Sequence, residues 1–414
     1  MITSRDSAFQ QSLRLLWTRR FGTFWFASLL SSIGTWAQLV AQPWLLLNLG
    51  ASSFLLGLDT FAMGAPVFLL TLVGGVLADR ADRRRVIGLF QSIQMLCPTL
   101  VVVLLILGAA RPWMVIALSL VIGITDALSM PSFQTIVSTI VERDQIPTGI
   151  ALNSTQFNLS RILGPAVAGV LMAGVGATGA FAVSAASYLP FILVALWILP
   201  HADAVRAGIP AKLDYRQLIA EVRAIGREPT LRGALLSVLA TSLLCGPLIT
   251  FAPVLVRSAL GGDVTHFSAA IGAFGVGGLI GAIALLGVDA HRDRRPLASW
   301  SAALYGVIVI LSALNPWLSA FPGLLAAAGV VMTTGNASAN AVLQVAASPE
   351  IRGQSISLYM LAMRGGTAIG GLMGGALVSG LGVRRALCIT GVLAVLAQLT
   401  LARRWQRAPL TRYE

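Results

Sequence analysis

Twelve stretches of this chain are apolar for long enough to cross a lipid bilayer, and that alone removes most folds from consideration. A spanning helix needs about 20 mostly apolar residues to match a hydrocarbon core about 30 Å thick. The stretches cover residues 22–46, 53–78, 86–108, 113–140, 148–174, 177–199, 233–260, 266–288, 297–315, 317–347, 351–380 and 383–402, and are numbered spans 1 to 12. Only 11% of the residues are charged, against about 25% in soluble domains. The expected class is an all-α integral membrane protein with twelve transmembrane helices. Span 1 is too long for a signal-peptide core and has no small-residue cleavage site after it, so it reads as a retained helix.

A net charge of +13 on one soluble face would point to nucleic acid. The arginines are instead spread along the chain in alternate connections. If the N-terminus is inside, they fall in the tails and in the loops on the same side, apart from Arg111, Arg257, Arg384 and Arg385 outside and Arg161 and Arg364 within spans. This is the positive-inside pattern, and it predicts that both termini are cytoplasmic, with the lipid bilayer as partner and no nucleic acid. Trp44, Trp113 and Trp317 are expected as anchors at the outer boundary, and Trp25, Trp300 and Trp405 at the inner one. Cys97, Cys245 and Cys388 lie in different apolar spans and are expected to be unpaired thiols.

The polar stretch between spans 6 and 7 divides the chain into 1–200, a linker 201–232, and 233–414. Leu213, Leu218, Val222 and Ile225 recur in the linker at roughly helical spacing and fit an amphipathic helix on the membrane surface. Internal duplication is visible as three echoes. Asp82, Arg83 and Arg84 match Asp293, Arg294 and Arg295; Asp126 with Gln134 matches Asn336 with Gln344; and Arg161 matches Arg364. Such repeats build many transporters.

Ionisable groups at bilayer depth cost about 2.5–3.5 kcal/mol on insertion scales and usually face the bundle interior. Asp126, Arg161 and Arg364 lie mid-span, and Asp59 lies in the outer part of span 2. Counting about 1.5 Å per residue, Asp126 and Arg161 sit roughly 22 Å and 20 Å above the inner ends of spans 4 and 5. An ion pair at that matching depth is either a static bridge or a switch that opens when Asp126 takes a proton. Asp59 is a second candidate proton site. Arg364 either caps carbonyls or waits for an anionic group. The polar residues Gln38, Gln42, Gln134, Asn153, Gln156, Asn158, Asn336, Asn340 and Gln344, with Trp36, are either a wet pathway or interhelical hydrogen bonds.

Two local patterns carry a family resemblance. Between spans 2 and 3 the chain reads GGVLADRADRRRVI over residues 74–87, with Gly75, Asp79, Arg80, Arg83 and Arg84 at the positions of the loop signature of the major facilitator superfamily. Span 5 reads SRILGPAVAG over residues 160–169, where Gly164, Pro165 and Gly169 resemble the antiporter motif of exporters in that superfamily. The runs 131–169 and 340–364 resemble the branch that contains the bacterial enterobactin exporter. The resemblance covers about residues 20–400. It implies the major facilitator fold, two pseudo-symmetric six-helix bundles, with Asp79 and its arginines as a conformational gate and the polar set around a central cavity.

What the resemblance implies for function is a monomeric, proton-driven antiporter in the bacterial inner membrane. It would export a small amphipathic molecule, anionic if its arginines select cargo, such as a siderophore. Asp126, Arg161 and Asp59 would couple protons, and Arg364, Trp36, Gln38, Gln134, Asn336, Asn340 and Gln344 would bind substrate. A broad-specificity drug exporter is the alternative within the class, and a non-transporting scaffold or lipid-translocating component is the alternative outside it. No enzyme is expected, since the chain has no nucleotide-binding glycine loop and no metal-spaced histidines. No cofactor or metal is expected either.

Overall fold

The computed structural model describes residues 8–198, 222–288, 293–348 and 351–406. It is helical in the order read from hydropathy. A short amphipathic α1 (Ala8–Leu16) precedes α2 (Arg19–Asn48), which is span 1. Span 2 is two helices, α3 (Ser53–Gly64) and α4 (Pro66–Arg80), because Pro66 has no N–H to continue the ladder. Next come α5 (Arg83–Ile106), α6 (Pro112–Ile140) and α7 (Ile146–Trp197). Spans 5 and 6 are both within α7, parted only at Gly176, whose φ of 68° reverses the chain in a region that other residues rarely enter.

In the second half, span 7 is α8 (Pro229–Cys245), α9 (Pro247–Val254) and a π-helical turn over Leu255–Ala259. There follow α10 (Val264–Leu286), α11 (Arg295–Leu314), α12 (Phe321–Ala346), α13 (Arg352–Leu381) and α14 (Val383–Trp405). By length and composition, 11 of the described helical stretches qualify to cross a membrane. The expected surface helix of the linker lies mostly outside the described residues; Ile225, at its end, is buried among Leu231, Leu343 and Trp405.

The chain divides into two compact units. One is Met1–Gln42 with Leu69–Gly208; the other is Pro43–Phe68 with Ile209–Glu414. In the first, Phe24, Phe133 and Phe191 form an aromatic core, the last two stacked at 5.2 Å. In the second, α3 packs along α13 on a seam of glycines. A methyl on Gly57 would overlap the Gly371 carbonyl, and one on Gly375 would meet the Ser53 carbonyl at 2.9 Å. With little hydrophobic drive between helices in lipid, this close backbone approach is what holds such pairs.

Three of the expected tryptophan anchors are exposed, Trp113, Trp300 and Trp317. The other three are packed inside. Trp25 donates from Nε1 to the Leu152 carbonyl at 2.8 Å, Trp405 donates to Ser299 Oγ at 2.9 Å, and Trp44 stacks on Phe267 at 5.2 Å. An indole near a helix end satisfies its N–H as well inside a bundle as in the headgroup layer, and hydropathy does not separate the two. Cys97, Cys245 and Cys388 are free thiols.

Candidate functional site

In the first unit the polar residues of α2 point at other helices. Gln38 Oε1 accepts from Ser184 Oγ at 2.9 Å, and Gln42 Nε2 donates to Ser119 Oγ at 2.7 Å. Gln156 Nε2 donates to Ser32 Oγ at 3.0 Å. Gln38, Gln42 and Gln156 are buried, so these amides tie α2 to α6 and to both arms of α7. Trp36 is half-buried, edge-on to Phe157 at 6.3 Å. Its neighbour on the first arm of α7 is Gly164, where a methyl would overlap the Trp36 Cβ. Gly164, Pro165 and Gly169 are all buried. The small residue in the exporter-like motif is thus what lets the span 5 arm reach the backbone of α2.

Asp126 is half-buried on α6. It lies within electrostatic range of Tyr188, whose hydroxyl is 2.8 Å from Thr35 Oγ1. Tyr188 and Thr35 join the polar residues read from the sequence, and the signal for them is a lone phenol inside the apolar span 6. The side chains of Arg161, Gln134, Asn158, Asp79, Arg80 and position Gly75 lie outside the described residues. Arg83 is half-buried, and Arg84 donates from Nη1 to the Leu196 carbonyl at 2.9 Å. Asp82 caps α5 by accepting from the Arg84 N–H at 3.0 Å.

The second unit holds the rest. Asn336 is buried on α12 beside Ser237 and Thr241 of α8, and its carbonyl accepts from the Tyr359 hydroxyl at 3.3 Å. Asn340 Oδ1 accepts from Gln344 Nε2 at 3.3 Å, and Gln344 is exposed. Arg364 is half-buried on α13, with Gly365 and Gly366 buried beside it. The Phe68 ring covers Gly365, and a methyl on Gly64 would stand 3.6 Å from the Arg364 carbonyl. Asp59 is buried on α3 with 5% of its surface exposed. It lies five residues from Gly64, about 7.5 Å along the helix axis. The acid of span 2 and the arginine of span 11 therefore share one packed helix pair, which the sequence had not joined.

Among the described residues no group of three or more histidine, cysteine or acidic side chains converges as a metal site. The arrangement offers one polar cluster, Asp126 with Tyr188 and Thr35, and one packed helix pair, α3 with α13, that carries both Asp59 and Arg364.

A family model described as transmembrane secretion effector matches residues 11–409. The staphyloferrin A transporter of Staphylococcus aureus is 25% identical over 294 residues, which is 69% of this chain and 72% of that protein. The multidrug efflux pump Tap of Mycolicibacterium fortuitum is 24% identical over 80% of this chain and 83% of its own. Among solved structures, the nucleoside transporter NupG superposes with a TM-score of 0.75 at 13% identity, covering 94% of this chain and 100% of that one. A bacterial homologue of the human lysosomal transporter Spinster does so with 0.71 at 16% identity, covering 95% and 98%. At such identities the structures speak for the fold alone.

Proposed function

The chain belongs to the transmembrane secretion effector family of major facilitator transporters, and from that premise we propose that it exports a small amphipathic, anionic molecule of the siderophore class in exchange for protons. It is a multi-pass membrane transporter and not an enzyme. In this reading it works as a monomer in the bacterial inner membrane, with both termini cytoplasmic.

The observation that carries the reading is the buried carboxylate of Asp59 in the same helix pair as the mid-span guanidinium of Arg364. A guanidinium at that depth needs negative charge near it, from the protein or from cargo. With Asp59 ionised, the acid supplies it; when Asp59 takes a proton, an anionic cargo can replace it. Cargo and proton then compete for one arginine, which is the requirement for exchange. Asp126, beside Tyr188, is the second proton site. Arg161 is proposed to pair with it, and Asn336, Asn340, Trp36, Gln38, Gln134 and Gln344 to line the path. Alternating access would proceed by rocking of the two bundles, with Asp79 and its arginines as the gate.

Likeness to the staphyloferrin A transporter supports a siderophore as cargo. Likeness to the Tap pump over more of the chain supports the second reading, a broad-specificity drug exporter. The test is transport into everted vesicles of a host carrying this gene, driven by an imposed pH gradient. Carboxylate siderophore should accumulate in wild-type vesicles and fail to do so with Arg364→Gln. Uptake of lipophilic cations with no siderophore uptake would overturn the first reading in favour of the second.

A further inference from the structure

We propose that a groove between the start of α8 and the end of α14 binds the headgroup of an anionic phospholipid. The groove is lined by Pro229, Arg232, Leu236, Leu401, Arg404 and Trp405, with Gly233 in its floor. Gly233 is there because a methyl would overlap the Trp405 Cβ, so α8 and α14 touch at this level. The indole is fixed from behind. Its Nε1 donates to Ser299 Oγ at 2.9 Å, the main-chain carbonyl of Trp405 accepts from Arg295 Nη1 at 3.0 Å, and 1% of the residue's surface is exposed.

Two exposed arginines, Arg232 and Arg404, flank this rigid base, and their side chains make no ion pair with any described residue. The nearby acid, Glu228, is engaged as the cap of α8, accepting from the Thr230 N–H at 2.9 Å. Two arginines lining one groove supply forked donors of the kind that suit a phosphate. Away from the charges the walls become apolar. Leu236 is exposed on α8, and Leu396 and Leu399 are exposed along α14 below Leu401. A free phosphate has no use for such walls, whereas a phospholipid would place its acyl chains along them. The groove lies where two spanning helices meet the arginine-rich membrane face, the level at which an anionic headgroup resides. This inference is independent of what the transporter carries.

The full-length protein, purified in detergent, is titrated with phosphatidylglycerol, phosphatidylcholine or inorganic phosphate. Binding is read by native mass spectrometry and by the thermal unfolding midpoint. Phosphatidylglycerol should bind the wild type and raise its midpoint, phosphatidylcholine should not, and excess inorganic phosphate should not displace the lipid. Arg232→Ala with Arg404→Ala should weaken phosphatidylglycerol binding about 30-fold, the combined effect of two arginines at an anionic surface. The corresponding double lysine variant should keep most of it. Unchanged phosphatidylglycerol binding by the alanine variant, equal binding of phosphatidylcholine, or displacement by phosphate would each overturn the proposal. If the alanine variant does not fold, the lipid comparison and phosphate competition on the wild type decide alone.

Discussion

Arg295 holds the end of the last helix: its Nη1 donates to the Trp405 carbonyl at 3.0 Å while Nε and Nη2 grip the Asp293 carboxylate at 3.0–3.1 Å. Arg84 repeats the contact in the first unit, donating to the Leu196 carbonyl at 2.9 Å beside Asp82. In both places the aspartate accepts from the main-chain N–H two residues on. The echo between residues 82–84 and 293–295 is thus one device used twice, in which the first turn of the third helix of each half is tied to the last turn of the sixth. A cation at a helix C-terminus also meets the negative end of the dipole.

The clamps differ in burial, and so should their variants. Arg295 has 6% of its side chain exposed and is held by both Asp293 and the Trp405 carbonyl, so Arg295→Ala should cost about 3 kcal/mol, leaving the carbonyl without its side-chain donor and the Asp293 carboxylate with only the main-chain N–H of residue 295. Arg84, with 12% exposed and a longer 3.8 Å approach to Asp82, should cost about 1 kcal/mol as alanine. Thermal unfolding of the two variants in detergent checks the order. Equal losses would show that burial is not what sets the strength of these clamps.

Gly164 should tolerate no side chain. A methyl overlaps the Cβ of Trp36, an atom fixed to the α2 backbone, so the arms must move apart. Gly164→Ala should lose about 2 kcal/mol, the usual scale of overpacking, and quench or shift the Trp36 fluorescence.

If Asp59 and Arg364 share their charge, removing one should change what removing the other does. In vesicles, Asp59→Asn and Arg364→Gln should each reduce pH-driven transport by about tenfold or more, and the pair together should cost little beyond either one. Additive losses would mean that the two residues act separately. Asp126→Asn, which leaves Asp59 in place, should weaken the dependence on the pH gradient while leaving counterflow of cargo intact.

Asp263 gives a pH signature outside the spans. The His266 backbone N–H, with its ring 2.7 Å away, holds this carboxyl below its ordinary value of 3.8. Because the folded value is depressed, the stabilising cap on α10 is present at neutral pH and is lost as pH falls through that lowered value. Wild type and Asp263→Asn should differ in unfolding midpoint at pH 7 and converge under strongly acidic conditions.

Run length and polarity made the spans legible, since bilayer thickness imposes one length on every crossing. The same rule hid the break before Pro66, because two short helices in one apolar run have the hydropathy of one. It also left α3 grouped with its neighbours in sequence, whereas α3 packs along α13 through Gly57, Gly371 and Gly375. Backbone proximity leaves only small residues behind, and small residues are common throughout such a chain. The amides Gln38, Gln42 and Gln156 were visible, but their partners Ser184, Ser119 and Ser32 lie 146, 77 and 124 residues away. No local pattern joins them.

Gly176 gives spans 5 and 6 a single residue of connecting chain. With no slack at that turn, the two arms cannot separate there while the transporter works, however far their other ends travel. Spin labels placed on either side of residue 176 would therefore report one constant distance through the whole cycle, a fixed ruler inside a moving machine against which every other displacement can be measured.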